Sequence, residues 1–197
     1  RRWASEPSIP GVVRFFGPYP YRSSFHSENP AQECERALAH LDELLMFEGA
    51  HNVAAIILEP VVGTNGILVP PDGYLAGVRE LCNRYGIMMI SDEVMAGFGR
   101  CGEWFAVDHW GVAPDIICFA KGVNSGYVPL GGVLMSDAIA ATFDERVYPG
   151  GLTYSGHPLA CASAVASIGA FRDENILDSA RTLGTDVIGP ELELIAE

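Results

Sequence analysis

Four short apolar runs separated by helical segments constrain this chain more than any other feature. Val53 to Leu58, Ile87 to Ile90, Asp115 to Phe119 and Gly132 to Met135 lack the polar alternation of a sheet with one wet face. Residues 31–48 carry Leu38, Leu41, Leu44 and Leu45 at helical spacing, and residues 72–85 place Leu75, Val78, Leu81, Cys82 and Tyr85 on one helical face. His157 to Phe171 reads as a long helix rich in small residues. The alternation predicts an α/β fold, a three-layer sandwich whose mostly parallel sheet is covered by helices on both faces. Gly17-Pro18-Tyr19-Pro20-Tyr21-Arg22 reads as irregular loop and Gly63-Thr64-Asn65-Gly66 as a turn. A soft domain boundary is expected near residue 173, with 174–197 helical but interrupted by glycines and Pro190.

A length of 197 residues suits one domain with a sizeable core, or one domain and part of another. The formal charge of -13 repels nucleic acid and anionic membrane, so neither is an expected partner. No apolar stretch approaches the roughly 20 residues of a membrane helix. Cys34, Cys82, Cys101, Cys118 and Cys161 are scattered singly, with no CxxC pair. That pattern suits a reducing cytoplasm, with Cys82 and Cys118 as small core residues. The chain opens Arg1-Arg2-Trp3 without a signal-peptide pattern and closes at Glu193-Leu194-Ile195-Ala196-Glu197, so both ends are expected to be cuts.

Lys121 is the only lysine, the other eleven Lys/Arg positions being arginine. An arginine cannot lose its proton and form a Schiff base; a lysine can. Alone, Lys121 fits a surface accident of an arginine-biased composition equally well. Its surroundings decide the matter. In an open α/β sheet, ligands collect beyond the carboxyl ends of the strands. Glu59, Asp92 and Lys121 follow three of the apolar runs there. A lysine, an aspartate and a nearby glutamate at adjacent strand ends are what pyridoxal phosphate chemistry requires. The lysine amine holds the cofactor aldehyde as a Schiff base and later moves the substrate proton, and the aspartate keeps the pyridine nitrogen protonated. Against this, an isolated Asp is more often a cap or turn residue, and Glu59, which precedes Pro60, serves equally as a brace of the sheet end. Asp92 is followed by Glu93 at the close of a buried run, where two carboxylates are costly.

The segments Ile90-Ser91-Asp92-Glu93-Val94-Met95-Ala96-Gly97-Phe98-Gly99-Arg100, Ala113-Pro114-Asp115 and Phe119-Ala120-Lys121-Gly122 resemble the signature of class III aminotransferases, fold type I pyridoxal-phosphate enzymes. Glu59-Pro60-Val61-Val62-Gly63 and Thr153-Tyr154-Ser155-Gly156-His157-Pro158-Leu159-Ala160 extend the similarity over nearly the whole chain. The resemblance implies that Lys121 is the Schiff-base lysine, that Asp92 binds the ring nitrogen, and that Val94 packs on one face of the ring. It implies that Thr153 reaches the cofactor phosphate of the other subunit of a homodimer, and that Glu59 lies near the site. Thr153 also reads as a helix-start threonine ahead of His157-Pro158, and both readings are compatible. Residues 1–173 would then be part of the large, cofactor-binding domain and 174–197 the start of the small C-terminal one.

The family's glycine/serine-rich phosphate loop, its ring-stacking aromatic and its carboxylate-gripping arginine fall outside this sequence. Thr64 stands where some relatives carry a glutamate, and Met95 where others carry a glutamine that bonds the ring hydroxyl. Both substitutions are similar to the omega-amino acid:pyruvate branch, which includes taurine and β-alanine aminotransferases. The expected reaction is amino transfer from an amine donor to a keto acid. Aminomutase, decarboxylase and racemase chemistry share the same motif, and a catalytically inactive fragment is a further alternative. Gly97 to Gly102 matches GxGxxG literally, but Glu103-Trp104-Phe105 follows where a dinucleotide site needs a helix. The histidines show no metal spacing, Ser155-Gly156-His157 lacks a hydrolase elbow, and Trp104, Phe105 and Trp110 are assigned to core.

Overall fold

The computed structural model describes residues 9–196. The expectations attached to Arg1-Arg2-Trp3 and to Glu197 lie outside the described residues. Four strands, β1 (Ala55–Leu58), β2 (Met88–Asp92), β3 (Ile116–Phe119) and β4 (Gly132–Met135), form one sheet in the order β1-β2-β3-β4. The first three pair in parallel and β4 joins antiparallel, so the sheet is mostly parallel as expected. β2 runs two residues further than its apolar run suggests, so Asp92 is its last residue rather than a residue beyond it.

Two helices cover one face. Helix α1 (Pro30–Glu48) starts at Asn29, whose side chain accepts a hydrogen bond from the Gln32 N–H, with Pro30 in the first turn. Helix α2 (Tyr74–Tyr85) ends at Gly86 in the left-handed conformation, and the chain turns directly into β2. Leu41 and Leu45 of α1 and Leu75, Val78 and Cys82 of α2 bury against Ile56 and Met89. The helices approach closely at Gly77, where a Cβ would stand 2.3 Å from Leu38 Cδ1. Asp115 locks the entry to β3, accepting from the Met89 N–H and from Arg79, each at 2.7 Å.

The other face departs from expectation. Ile57 is 56% and Val133 51% exposed, so the described residues cover only one face fully although both faces are apolar. Cys118, expected in the core, is only half-buried because it sits on this open side.

Beyond the sheet lie a short helix α3 (Asp137–Ala141), which the sequence pattern did not indicate, and α4 (Pro158–Asp173). The segment expected to be interrupted is instead helical almost to the end: α5 (Ile176–Thr182), a π-helical stretch (Leu183–Ile188) and α6 (Gly189–Ala196). The wider i→i+5 bonding, with the Gly189 N–H donating to the Gly184 carbonyl, carries the chain past both glycines, and Pro190 falls in the first turn of α6, where its missing N–H costs little.

Glu33 ties the loop 19–27 to α1. It is 0% exposed and accepts from the Tyr19 N–H at 2.7 Å and from the Ser23 and Ser27 hydroxyls. Burial works against its charge, but those hydrogen bonds and the Arg36 charge hold its carboxyl below the usual glutamate range. A lowered folded pKa contributes stability that is complete above the unfolded value and disappears as pH falls through the folded one. Glu33→Gln is therefore expected to cost about 1–3 kcal/mol at neutral pH. Thermal unfolding followed from pH 7 downward should show the wild-type advantage shrinking below about pH 5.

Candidate active site

The parallel pairing of β2 and β3 brings their carboxyl ends together, with Asp92 in register with Cys118. Strand alternation sends Ser91 toward the helices and Asp92 to the open face beside Ile90. Asp92 is half-buried, and its Oδ1 accepts the Val94 N–H at 3.1 Å, an Asx turn that fixes the carboxylate. Across the Asp92–Cys118 pair, burial and then the Asp92 charge push the Cys118 thiol up.

The paired carboxylates of the Asp92-Glu93 motif separate in the structure. Glu93 is 0% exposed and points the opposite way, accepting the N–H groups of Ala106 and Val107 at 2.9 and 3.0 Å. Burial raises its carboxyl above the usual range. Glu93 is thus an internal clamp on the 3₁₀ turn Ala106–Trp110, and Asp92 alone faces outward. Period-2 alternation applied to Asp92 and Glu93 would have revealed the split.

Lys121 lies two residues past the end of β3 and opens the 3₁₀ turn Lys121–Val123. Its φ of 42° lies in the left-handed region, where a side chain is strained. Lys121 is exposed and lines a cavity of about 620 Å³ together with Met95 and the loop Gly97 to Arg100. Phe98, also at positive φ, sits beneath the turn, and a Cβ at Gly122 would stand 2.7 Å from the Phe98 Cβ. Phe98 packs edge-on against Trp104, Phe105 and Phe119 and lies near Phe171, so Trp104 and Phe105 join one aromatic cluster under the cavity, while Trp110 packs elsewhere, against the helix-side core.

The remaining expected site residues scatter. Val94 is half-buried beside Asp92. Glu59 accepts the Gly63 N–H at 2.9 Å and so braces the turn after β1. Thr153 is exposed in the turn before α4, and His157, not Thr153, occupies the N-cap position of that helix, without a side-chain capping bond. Neither Glu59 nor Thr153, nor Asp92 itself, is among the residues lining the Lys121 cavity. Met95 reaches from the cavity to Gly63, 2.9 Å from a Cβ there, so Met95 and the neighbour of Thr64 meet at one corner.

The family described as Aminotransferase class-III matches residues 2–197 of the chain. The putrescine–pyruvate aminotransferase of Pseudomonas aeruginosa is 41% identical over 174 residues, covering 88% of this chain and 38% of that protein. The omega-amino acid–pyruvate aminotransferase of Pseudomonas putida is 43% identical over 155 residues, 74% of this chain and 34% of that protein. Among solved structures, a taurine:2-oxoglutarate aminotransferase from Bifidobacterium kashiwanohense, in complex with PLP and glutamate, superimposes with a TM-score of 0.93 at 45% identity. The match covers 98% of this chain and 44% of that one. The chain therefore spans well under half the length of the curated relatives it matches.

The strain at Lys121 has a measurable consequence. Lys121→Ala keeps the left-handed penalty and Lys121→Gly removes it, so the glycine variant should be the more stable of the two by about 1–2 kcal/mol. Denaturant unfolding of the pair measures this. Equal midpoints would show that Lys121 is not held at positive φ.

Proposed function

The chain belongs to the class III aminotransferases, and from that premise we propose that it carries the cofactor-binding core of a pyridoxal-phosphate-dependent transaminase. The amino donor is an amine or omega-amino acid of the taurine or β-alanine kind, and the acceptor is a keto acid such as pyruvate or 2-oxoglutarate. The observation that carries this reading is Lys121: the one lysine of the chain, at a strained corner, lining a cavity one strand away from Asp92. The donor set fits the cofactor. Among the described residues no cation pairs with Asp92, which leaves its carboxylate open to a protonated ring nitrogen.

When bound, pyridoxal phosphate supplies an aldehyde for amines and a ring that withdraws electrons from the substrate Cα. Lys121 would hold that aldehyde, and its free amine would be the base placed to take and return the substrate Cα proton. Asp92, its direction set by the Val94 N–H, would keep the ring nitrogen charged, and the Val94 side chain would pack on one ring face. Glu59 contributes to the site through the turn that it braces. Thr153, exposed ahead of α4, serves the cofactor phosphate of a partner subunit in a homodimer.

Thr64 and Met95 support the donor class, since neither can supply the carboxylate or amide that other branches of the family place there. The names of the relatives, which act on putrescine, omega-amino acids and taurine, point the same way. Residues 1–173 are assigned to the large domain and 174–197 to the start of the small one. A cytoplasmic location accords with five free thiols, and among the described residues no helix is long and apolar enough to cross a membrane.

The test is to incubate the chain, in its natural polypeptide, with pyridoxal phosphate, taurine, β-alanine or putrescine, and pyruvate or 2-oxoglutarate. Mass spectrometry should detect new alanine or glutamate. Asp92→Asn and Lys121→Ala should each lower the rate by about a hundredfold or more. Consumption of the donor without nitrogen reaching the keto acid would assign decarboxylase, racemase or aminomutase chemistry instead.

A further inference from the structure

The turn that presents Lys121 rests on a chain of contacts that begins at a carboxylate on the far side of the sheet end. Glu93 makes four connections from one position. Its N–H donates to the Cys118 carbonyl of β3 at 2.9 Å, and its carbonyl accepts from the Gly97 N–H at 2.9 Å. Its carboxylate accepts from Ala106 and Val107, and the Ser91 hydroxyl stands 3.4 Å away. Those side-chain bonds fix the position of Phe105, the residue just before the 3₁₀ turn. The Phe105 ring meets Phe98 at a centroid distance of 5.5 Å, and the Phe98 N–H donates to the Trp104 carbonyl at 2.6 Å. Phe98 in turn leaves room for nothing larger than glycine at position 122, next to Lys121. Both flanks of the loop 97–105 are therefore held by Glu93, and Phe98 near its start is the floor of the Lys121 turn.

We propose that Glu93 is a positioning residue for Lys121: its buried carboxylate sets the loop whose Phe98 holds the Lys121-Gly122 turn in place. The proposal deepens the transaminase reading, on which the importance of Lys121 rests. A carboxylate suits the role because it accepts two amide N–H groups at once. A glutamine keeps the volume and one accepting oxygen, but its NH₂ cannot accept the second N–H. Breaking the clamp also leaves a buried amide unpaired, which loosens the loop at that point.

A single lysine makes the test direct. Acetylation of Lys121 by a neutral acylating reagent, read by peptide mass spectrometry, reports the turn without any cofactor. Wild type is compared with Glu93→Gln and with Glu103→Gln. Glu103→Gln weakens a contact of the same loop to Arg181 but leaves Glu93 untouched. The acetylation rate per folded molecule should change by about threefold or more in Glu93→Gln and stay at the wild-type value in Glu103→Gln. The half-saturating concentration of pyridoxal phosphate, measured in parallel, should rise only in Glu93→Gln. If Glu93→Gln unfolds, Phe105→Leu keeps the carboxylate, cuts the ring contact to Phe98 and takes its place in the comparison. Unchanged Lys121 acetylation alongside a lowered thermal midpoint would make Glu93 a stability residue only and overturn the proposal. A wild-type protein that takes up no pyridoxal phosphate, while Glu93→Gln still alters acetylation, would defeat the transaminase reading and leave the positioning role standing.

Discussion

The candidate site depends on one constraint: β2 and β3 lie parallel, in register, and end at the same level. That pairing sets Asp92 opposite Cys118 and releases the chain into the Lys121 turn immediately beyond. Parallel neighbours cannot be joined by a tight turn and need a crossover of some length, which residues 93–115 supply with a loop and a 3₁₀ turn rather than a regular helix. The irregular connection is where the cavity forms.

Two wholly buried carboxylates organise the irregular segments, and comparing them shows which forces prevail. Glu33 and Glu93 are each 0% exposed, and each is satisfied mainly by N–H and O–H donors. Glu33 has close donors on both oxygens and the field of Arg36, which together overcome burial and lower its pKa. Glu93 has two amide donors, a distant serine and the repulsion of Asp108, so burial dominates and its pKa rises. The depth of the desolvating surroundings, the number of donors and the sign of the nearby charge all differ, and all act in the same direction. Both residues replace regular secondary structure with side-chain anchoring where the chain must follow a shape of its own.

Much of the sheet was legible because its apolar runs and helix stripes are strong periodic signals, and the helix face of Leu75, Val78, Leu81 and Cys82 packs as that pattern implies. The positions of Asp92 and Lys121 at or just beyond the ends of adjacent parallel strands were legible too, from the apolar runs that precede them. What stayed hidden were tertiary effects. The open side of the sheet carries apolar residues such as Ile57 and Val133 that sequence cannot distinguish from covered ones. Gly184 and Pro190 read as breaks, yet a π-helical register absorbs them. The burial of Glu33 and Glu93 depends on donors 6 to 14 residues away in sequence, beyond any local pattern.

Lys121 as the covalent anchor of the cofactor is the central claim, and trapping tests it most directly. The chain, in its natural polypeptide, is incubated with pyridoxal phosphate, reduced with borohydride, digested and mapped. The account predicts a reduced pyridoxyl group on the Lys121 peptide and its loss in Lys121→Ala. An adduct confined to the terminal amine, or no adduct at all, would contradict it and return Lys121 to an accident of composition.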